Sequence, residues 1–269
     1  MRLHNRCHLR KVESVIAISL QSGSNGNCVY VESGSTGILL DAGIPGIHAE
    51  RRLLQYGRSI HSCRAVVLSH DHHDHARHAG VFRRKFRIPL YSTPKTMARV
   101  HEKMAIGTIG DLRAFEAGDT LTIDDLTIET IPTPHDGVDG VAFVVSDGRS
   151  RLGVLTDLGH VFDGLSIIVA TLDGVIIESN YDPEMLTRGP YPVWLQDRIR
   201  GPRGHLSNDE AATLLETSAG GLLKWACLAH LSENNNHPDI AIQTHRALFG
   251  SRIPLFVANR YSATDPLEL

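Results

Sequence analysis

The chain has 269 residues, 42% hydrophobic and 21% charged, which is the composition of a globular protein. Its formal net charge of −3 excludes a global attraction to nucleic acid or to anionic membranes, so a polyanion would have to be bound through local charge or metal. No stretch approaches the ~20 apolar residues of a membrane span. Four cysteines without a Cys-x-x-Cys pair indicate a reducing compartment, which predicts a cytoplasmic protein.

Turn-forming residues divide the first half of the chain into short strands and helices. Residues 1–13 are predicted to form a flexible N-terminal extension, and residues 14–269 a single domain. Strands are predicted at residues 15–19, 28–32, 38–41, 65–69 and 89–91. Helices are predicted near residues 47–56, 74–86 and 94–104.

The second half begins with β-type runs and then alternates helices and strands. Strands are predicted at residues 120–123, 126–131, 141–146 and 153–156, and further along at 174–178 and 225–229. Ser207 and Glu210 have the spacing of a capping box, which predicts a helix over residues 208–218. The mixture of strands and helices predicts the α/β (α+β) fold class.

The segment His70-Asp71-His72-His73-Asp74-His75 carries the strongest chemical signal. It reads His-x-His-x-Asp-His and directly follows a predicted apolar strand. Neutral imidazoles and a carboxylate are the ligands that Zn²⁺ and similar ions accept, whereas such a cluster without a cation is unfavourable. A solvated His-rich tract is the other reading, but the cluster is internal and follows a strand. The segment therefore predicts a metal site.

Three more ligand-type side chains follow apolar runs further along the chain. His135 comes after the run 126–131, Asp157 after 152–156, and His230 after 225–229. Each could by itself be a surface residue or a hydrogen-bonded core residue. Together, at the ends of successive strands, they predict a site along one sheet edge.

These motifs resemble those of the metallo-β-lactamase fold superfamily and, within it, the YycJ/WalJ-type group of nucleic-acid phosphodiesterases. The resemblance extends from about residue 19 to residue 254. The segments Gly204-His-Leu-Ser-Asn208 and His230-Leu-Ser-Glu-Asn-Asn235 narrow it beyond the superfamily. It implies a four-layer αβ/βα sandwich with two divalent metal ions, Zn²⁺ or Mn²⁺. His78 stands where relatives tend to have glycine, so a local rearrangement of the helix start is expected.

The resemblance also assigns the metal ligands. It implies a first metal held by His70, His72 and His135, a second metal held by Asp74, His75 and His230, and Asp157 as the ligand that bridges both. Asp41 is expected to hydrogen-bond a ligating imidazole and so to orient it.

The implied reaction is hydrolysis of a phosphodiester by a hydroxide that both metals bind. Asp74 is expected to orient this nucleophile as well as to bind metal. Glu178 and His205 resemble the paired segments of tRNase Z enzymes that serve the leaving-group side of the reaction. A positioned acid there would protonate the departing sugar oxygen.

A group of side chains near His205 is expected to bind the substrate, namely Arg198, Arg200, Arg203 and Asn180. The segment between Asp157 and His230 is too short for the large cap domain of RNA-processing β-CASP relatives. The sequence therefore favours DNA over RNA, and the resemblance implies a 5′–3′ exonuclease. A small-molecule hydrolase of the same fold, acting on thioesters, lactones or cyclic phosphodiesters, is the alternative, and it gives Glu178 and His205 no task. Di-iron chemistry and a non-enzymatic metal-binding protein fit the ligand set less well.

Overall fold

The computed structural model describes residues 14–269, so the extension predicted for residues 1–13 lies outside the described residues. The strands are β1 (Ile16–Gln21), β2 (Cys28–Ser33), β3 (Thr36–Leu40), β4 (Cys63–Val67), β5 (Leu90–Ser92), β6 (Leu112–Ala114), β7 (Thr120–Ile123), β8 (Leu126–Pro132), β9 (Val141–Ser146), β10 (Arg151–Leu155), β11 (Gly174–Glu178), β12 (Trp225–Ala229), β13 (Leu255–Val257) and β14 (Leu267–Glu268). The α-helices are α1 (Gly46–Gln55), α2 (His73–Ala76), α3 (Ala79–Phe86), α4 (Pro94–Lys103), α5 (Leu165–Ala170), α6 (Pro183–Arg188), α7 (Val193–Arg200), α8 (Asn208–Ser218) and α9 (Pro238–Phe249).

The strands form two seven-stranded sheets with helices on their outer faces. The first sheet has the order β14-β1-β2-β3-β4-β5-β6 and the second β13-β12-β11-β10-β9-β8-β7. One apolar core lies between the sheets, a second packs α1, α3 and α4 on the first sheet, and a third packs α5, α8 and α9 on the second. The predicted fold class and four-layer arrangement are thereby confirmed.

Strands buried on both faces explain the continuous apolar runs in the sequence. Ile38 and Leu40 of β3 face the core between the sheets, while Leu39 faces the helices. In β9, Phe143 faces the central core and Val144 the outer one. Because side chains alternate between two apolar layers, neither face needs polar residues. A shift of one residue in the pairing of such a strand would exchange the side chains that face the central core and those that face the helices. The register is therefore specified by how these side chains pack.

The direction of the strands brings several carboxyl ends to one edge. β3 and β4 are parallel, and β10, β11 and β12 are parallel in the other sheet. β8 runs in the same direction as β10, because both are antiparallel to β9. The residues that follow these strands thus meet along a common rim, as open sheets with parallel strands arrange their ligand sites.

The predicted helix over residues 74–86 is in fact two helices, α2 and α3. The carbonyl oxygen of Asp74 accepts from the Asn27 backbone N–H at 2.7 Å, and the His78 N–H donates to Ala42 O at 3.0 Å. These contacts with other loops replace the i to i+4 hydrogen bond between Asp74 and His78, so the helix is interrupted there. The three short strands β6, β13 and β14 were not predicted from the sequence.

Among residues 14–269, no helix has the length and apolar character needed to span a membrane.

Cys28, Cys63 and Cys227 are buried and free, and burial raises the pKa of the Cys227 thiol to about 12. These thiols are therefore protonated small apolar groups of the core rather than ligands.

Candidate metal centre

All seven predicted ligands meet at the rim formed by the strand ends. Their nitrogen and oxygen atoms form overlapping groups in which every ligand atom lies within 4.8 Å of the others. These groups are His70, His72 and His135; Asp74, His75 and His230; His70, His75 and Asp157; and Asp157, Glu178, His205 and His230. Asp157 thus lies between the two clusters that the sequence assigned to separate metals. That these atoms bind metal stays a prediction.

Two buried atoms at the centre of this cluster lack a hydrogen-bond partner among the described residues. They are His70 Nε2 and Asp157 Oδ2. Asp157 Oδ2 lies 3.1 Å from His75 Nε2, but the pair is not aligned as a hydrogen bond. Buried polar atoms are normally satisfied, so two such atoms in one cluster indicate a missing partner. A divalent cation fits both atoms, because an imidazole nitrogen and a carboxylate oxygen can share it.

Left-handed backbone places three of the site residues. Asp41, Asp157 and His230 have φ angles of 65°, 57° and 54° and follow β3, β10 and β12. This conformation is unfavourable for residues with a side chain, although Asp and His adopt it more often than most. The surrounding protein holds it in place, since the His230 N–H donates to Ser22 Oγ at 2.8 Å. The chain therefore turns sharply at each strand end and directs the side chain into the site.

Asp41 occupies the orienting position expected from the sequence. Its Oδ1 accepts from the Ser69 N–H at 2.7 Å, and its Oδ2 lies 2.6 Å from His75 Nδ1. This contact fixes the ring of His75 with Nε2 directed toward Asp74 and Asp157. Burial alone would lower the pKa of His75, but the charges of Asp157, Asp41 and Asp74 raise it well above its usual value.

The pKa shifts of His70 and Asp157 favour the protonation states in which these side chains bind a cation. Burial and the neighbouring His75 lower the pKa of His70, which keeps this imidazole neutral and able to bind metal. For Asp157, burial would raise the pKa, but His230 and His75 lower it well below the usual range. The carboxylate is therefore ionised in the interior of the site, where it needs positive charge beside it.

The loop over residues 22–27 supports the second cluster, a role that the sequence interpretation missed. The Asn27 side-chain amide donates to Asp74 Oδ2 at 3.1 Å and lies 3.0 Å from His75 Nε2. The Ser22 hydroxyl accepts from the His230 backbone N–H and so fixes the loop that carries this imidazole. The repeated small and polar residues of this loop were the available signal, but a turn between strands explains them equally well.

Asp136 is a second residue that the sequence interpretation missed. Its Oδ1 lies 3.0 Å from His72 Nε2, and its Oδ2 accepts from Arg198 Nε at 2.8 Å and from the terminal nitrogen of Arg198 at 2.6 Å. His135 Nδ1 donates to Gly204 O at 2.8 Å, so its Nε2 faces His72. Asp136 thus connects an imidazole of the first cluster to helix α7. Its position next to His135 was the only signal in the sequence.

Glu178 and His205 lie together, as the sequence predicted, but they differ in exposure. Glu178 is 0% exposed and accepts the backbone N–H groups of Asp157, Leu158 and Leu206 at 2.9–3.1 Å. His205 lines the cavity, and its Nδ1 lies 3.2 Å from Glu178 Oε2. Burial lowers the pKa of His205, but Glu178, Asp157 and Asp74 raise it overall. Glu178 thus holds His205 and the two loops around it, and its predicted part on the leaving-group side of the reaction stays a prediction.

A cavity of about 300 Å³ opens above the ligands. Arg198 and Asn180 line it, whereas Arg200 and Arg203 do not. Asn180 Nδ2 donates to His230 O at 2.7 Å. The Arg200 guanidinium donates hydrogen bonds to the side chain and to the backbone carbonyl of Gln196. The placement of Arg200 and Arg203 therefore gives no support to their predicted substrate contact, and Arg198 is already paired with Asp136.

The fold and the strand-end site define the class of protein. Residues 36–225 match the beta-lactamase superfamily domain. The chain is also 34% identical over 227 residues to exodeoxyribonuclease WalJ of Streptococcus pneumoniae, covering 84% of each chain. It is 31% identical over 222 residues to exodeoxyribonuclease YycJ of Bacillus anthracis, covering 82% of this chain and 84% of that one. The chain therefore belongs to the WalJ/YycJ family of metallo-β-lactamase-fold proteins, as the sequence motifs predicted.

A solved structure gives the same result for the fold. The metallo-β-lactamase-fold protein YhfI of Bacillus subtilis superposes with a TM-score of 0.71 at 19% identity, over 93% of this chain and 99% of that one. At this identity the likeness supports the fold alone.

Proposed function

We propose that this protein is a metal-dependent phosphodiester hydrolase that degrades DNA from an end. The observation that carries the proposal is the convergence of seven ligand side chains, two of which hold buried atoms without partners, beside a histidine that lines the cavity. The related proteins WalJ and YycJ are named exodeoxyribonucleases, which supports DNA and an exonucleolytic mode. The 5′–3′ polarity rests on the sequence resemblance alone.

The ligand set fits two divalent cations, Zn²⁺ or Mn²⁺. His70, His72 and His135 would hold one, Asp74, His75 and His230 the other, and Asp157 would contact both. Bound there, the cations would supply Lewis acidity to the phosphate oxygens and lower the pKa of water. Asp41 and Asn27 orient the ligands that they contact, so the protein fixes the site before substrate arrives.

We assign assistance of the leaving oxygen to His205. Its Nδ1 faces the buried Glu178 carboxylate, which leaves Nε2 as the ring nitrogen available to the cavity. A proton on Nε2 can pass to the departing sugar oxygen while Glu178 stabilises the ring. Asp74 also lines the cavity, and its Oδ2 is held by Asn27. Asp74 would accept a hydrogen bond from the attacking water and so direct it toward phosphorus.

The predicted surroundings of the enzyme belong to the same proposal. We expect a nucleic-acid substrate, no membrane partner and a cytoplasmic location. The free, buried Cys28, Cys63 and Cys227 support a reducing compartment.

The direct test is a nuclease assay on DNA and RNA labelled at either end, single- and double-stranded, with Zn²⁺ and Mn²⁺ titrated into metal-free protein. We expect single labelled nucleotides to be released from DNA carrying a 5′ label. Turnover of thioesters or lactones without any nuclease activity would instead support the small-molecule hydrolase.

His205→Ala tests the leaving-group role. We expect DNA hydrolysis to fall by about 10²- to 10⁴-fold, the range for a lost general acid. Hydrolysis of bis-p-nitrophenyl phosphate should fall much less, because p-nitrophenolate leaves without protonation. Metal content, measured by mass spectrometry of the purified variant, should be unchanged. An equal loss on both substrates would contradict the assignment.

A further inference from the structure

The cavity has a second wall, which differs in character from the ligand wall. Tyr191, Leu195 and Ile199 line it, and Leu195 and Ile199 belong to helix α7. Residues spaced by three or four along a helix share a face, so the apolar side of α7 looks across the cavity toward the imidazoles and carboxylates. A ligand held in this cavity therefore meets charged metal ligands on one side and an apolar surface on the other.

The segment that begins this wall is fixed in place. Tyr191 Oη accepts from the Asn234 side-chain amide at 3.1 Å, and the Gln196 side-chain amide donates to Tyr191 O at 2.9 Å. Gln196 is the buried residue of α7. The aromatic ring of Tyr191 is thus held at the cavity by contacts at both its hydroxyl and its backbone.

Trp194 of helix α7 lies next to this wall in the sequence and is exposed to solvent. It is 66% exposed, and the neighbouring Val193 is 70% exposed. Within residues 14–269 its indole N–H has no hydrogen-bond acceptor, whereas that of the buried Trp225 donates to Glu268 O. Trp194 directly precedes Leu195 and lies one helical turn before Arg198, and both of those residues line the cavity. An exposed aromatic ring presents a face on which a nucleobase can stack.

We infer that Tyr191 and Trp194 form a stacking surface for the nucleobases of a single DNA strand whose phosphate lies at the metal centre. This inference rests on the proposed function. A nucleotide carries an anionic phosphate and a flat base with apolar faces, which matches the two unlike walls. Stacking does not depend on base identity, so the surface suits an enzyme that releases nucleotides one after another. It favours single-stranded ends, because paired bases do not expose their faces.

Kinetics with Trp194→Ala test the stacking surface. The substrates are a 5′-phosphorylated thymidine decamer and the same decamer with its first three nucleotides abasic. For the normal decamer we expect KM to rise roughly tenfold or more, the effect of losing one stacked base, with kcat within about threefold. The abasic decamer should have a high KM for the wild type and for Trp194→Ala alike.

Two control variants isolate the ring. Trp194→Phe keeps an aromatic face and should recover most of the affinity. Ile167→Ala removes an equally exposed apolar side chain on α5, outside the cavity lining, and should leave KM unchanged. A rise in KM for Trp194→Ala that is equal on normal and abasic DNA would overturn the inference, as would a change only in oligomeric state.

A binding measurement separates this inference from the proposed function. Metal-loaded wild type is titrated with a phosphorothioate-linked thymidine decamer while tryptophan emission is followed. We expect quenching that is absent in Trp194→Phe, because the buried Trp225 does not meet the ligand. Quenching without hydrolysis of ordinary DNA would refute the proposed nuclease but keep the stacking surface. Hydrolysis without quenching and without a KM effect would refute the stacking surface alone.

Discussion

The two walls of the cavity are built by different means. The ligand wall consists of residues at strand ends, most of them buried and several held in left-handed backbone by hydrogen bonds from other loops. The opposite wall consists of Tyr191 and the short helix α7, with Arg198 at its rim and the exposed Trp194 next to it in the sequence. Chemistry at a metal centre needs ligands fixed to a fraction of an ångström, whereas contact with a varying base sequence tolerates surface side chains. Substitutions in the ligand wall should therefore affect catalysis, and substitutions on α7 should affect substrate affinity.

The largest effect is expected where both clusters meet. Asp157→Ala removes the carboxylate between them, and with it the binding of at least one cation. Because bound cations supply several kcal/mol to the transition state, we expect kcat for DNA hydrolysis to fall by about 10³-fold or more. Metal per protein, measured by mass spectrometry, should fall as well. Asp163→Ala, an exposed carboxylate outside the cavity, is the matched control and should retain both. Full activity of Asp157→Ala would refute the shared-ligand assignment.

Glu178→Gln separates positioning from direct contact. The buried carboxylate accepts three backbone N–H groups, and an amide would place a donor against at least one of them. We expect the free energy of unfolding to fall by about 1–3 kcal/mol, the penalty for an unsatisfied buried donor. Activity on DNA should fall by about 10²-fold, because His205 and Asp157 lose their fixed geometry.

Thermal denaturation and kinetics on one preparation check the Glu178 prediction. His205→Ala should lose activity with little change in melting temperature, since His205 lines the cavity rather than the core. A Glu178→Gln protein with wild-type melting temperature and reduced activity would contradict the positioning role.

A smaller effect is expected at the connection between the two walls. Asp136→Ala removes the carboxylate beside His72, and we expect affinity for the first cation to fall by about 10- to 100-fold, the usual effect of losing such a support. Titration of metal-free protein with Zn²⁺ measures this directly. Arg198→Ala should raise KM for DNA more than it weakens metal binding. Arg200→Ala is the control, because Arg200 contacts Gln196 and not the cavity. Unchanged cation affinity in Asp136→Ala would remove Asp136 from the site.

The sequence by itself determined the framework of the molecule and the chemistry of its ligands. Apolar runs such as that of β12 predicted strands, because a strand buried on both faces needs apolar residues at every position. The capping box of Ser207 and Glu210 predicted the start of α8, and the structure contains both of its hydrogen bonds. The contiguous His70–His75 motif predicted its own clustering, because one turn of chain brings neighbouring residues together.

Apart from Asp41 and the pairing of Glu178 with His205, only the tertiary structure decided which residues support the ligands. Asn27 meets Asp74, Asp136 meets His72, and Glu178 holds the loops of Asp157 and His205. These contacts join residues that are distant in sequence or lie on different sheets, and a hydrogen bond between two loops leaves no periodic pattern in either. Likewise, the arginines near His205 in sequence were separated by the path of α7, which directs Arg198 to the cavity and Arg200 away from it. The local pattern of apolar residues indicates which face of each strand or helix is buried, whereas the packing of the two sheets determines which loops contact each other.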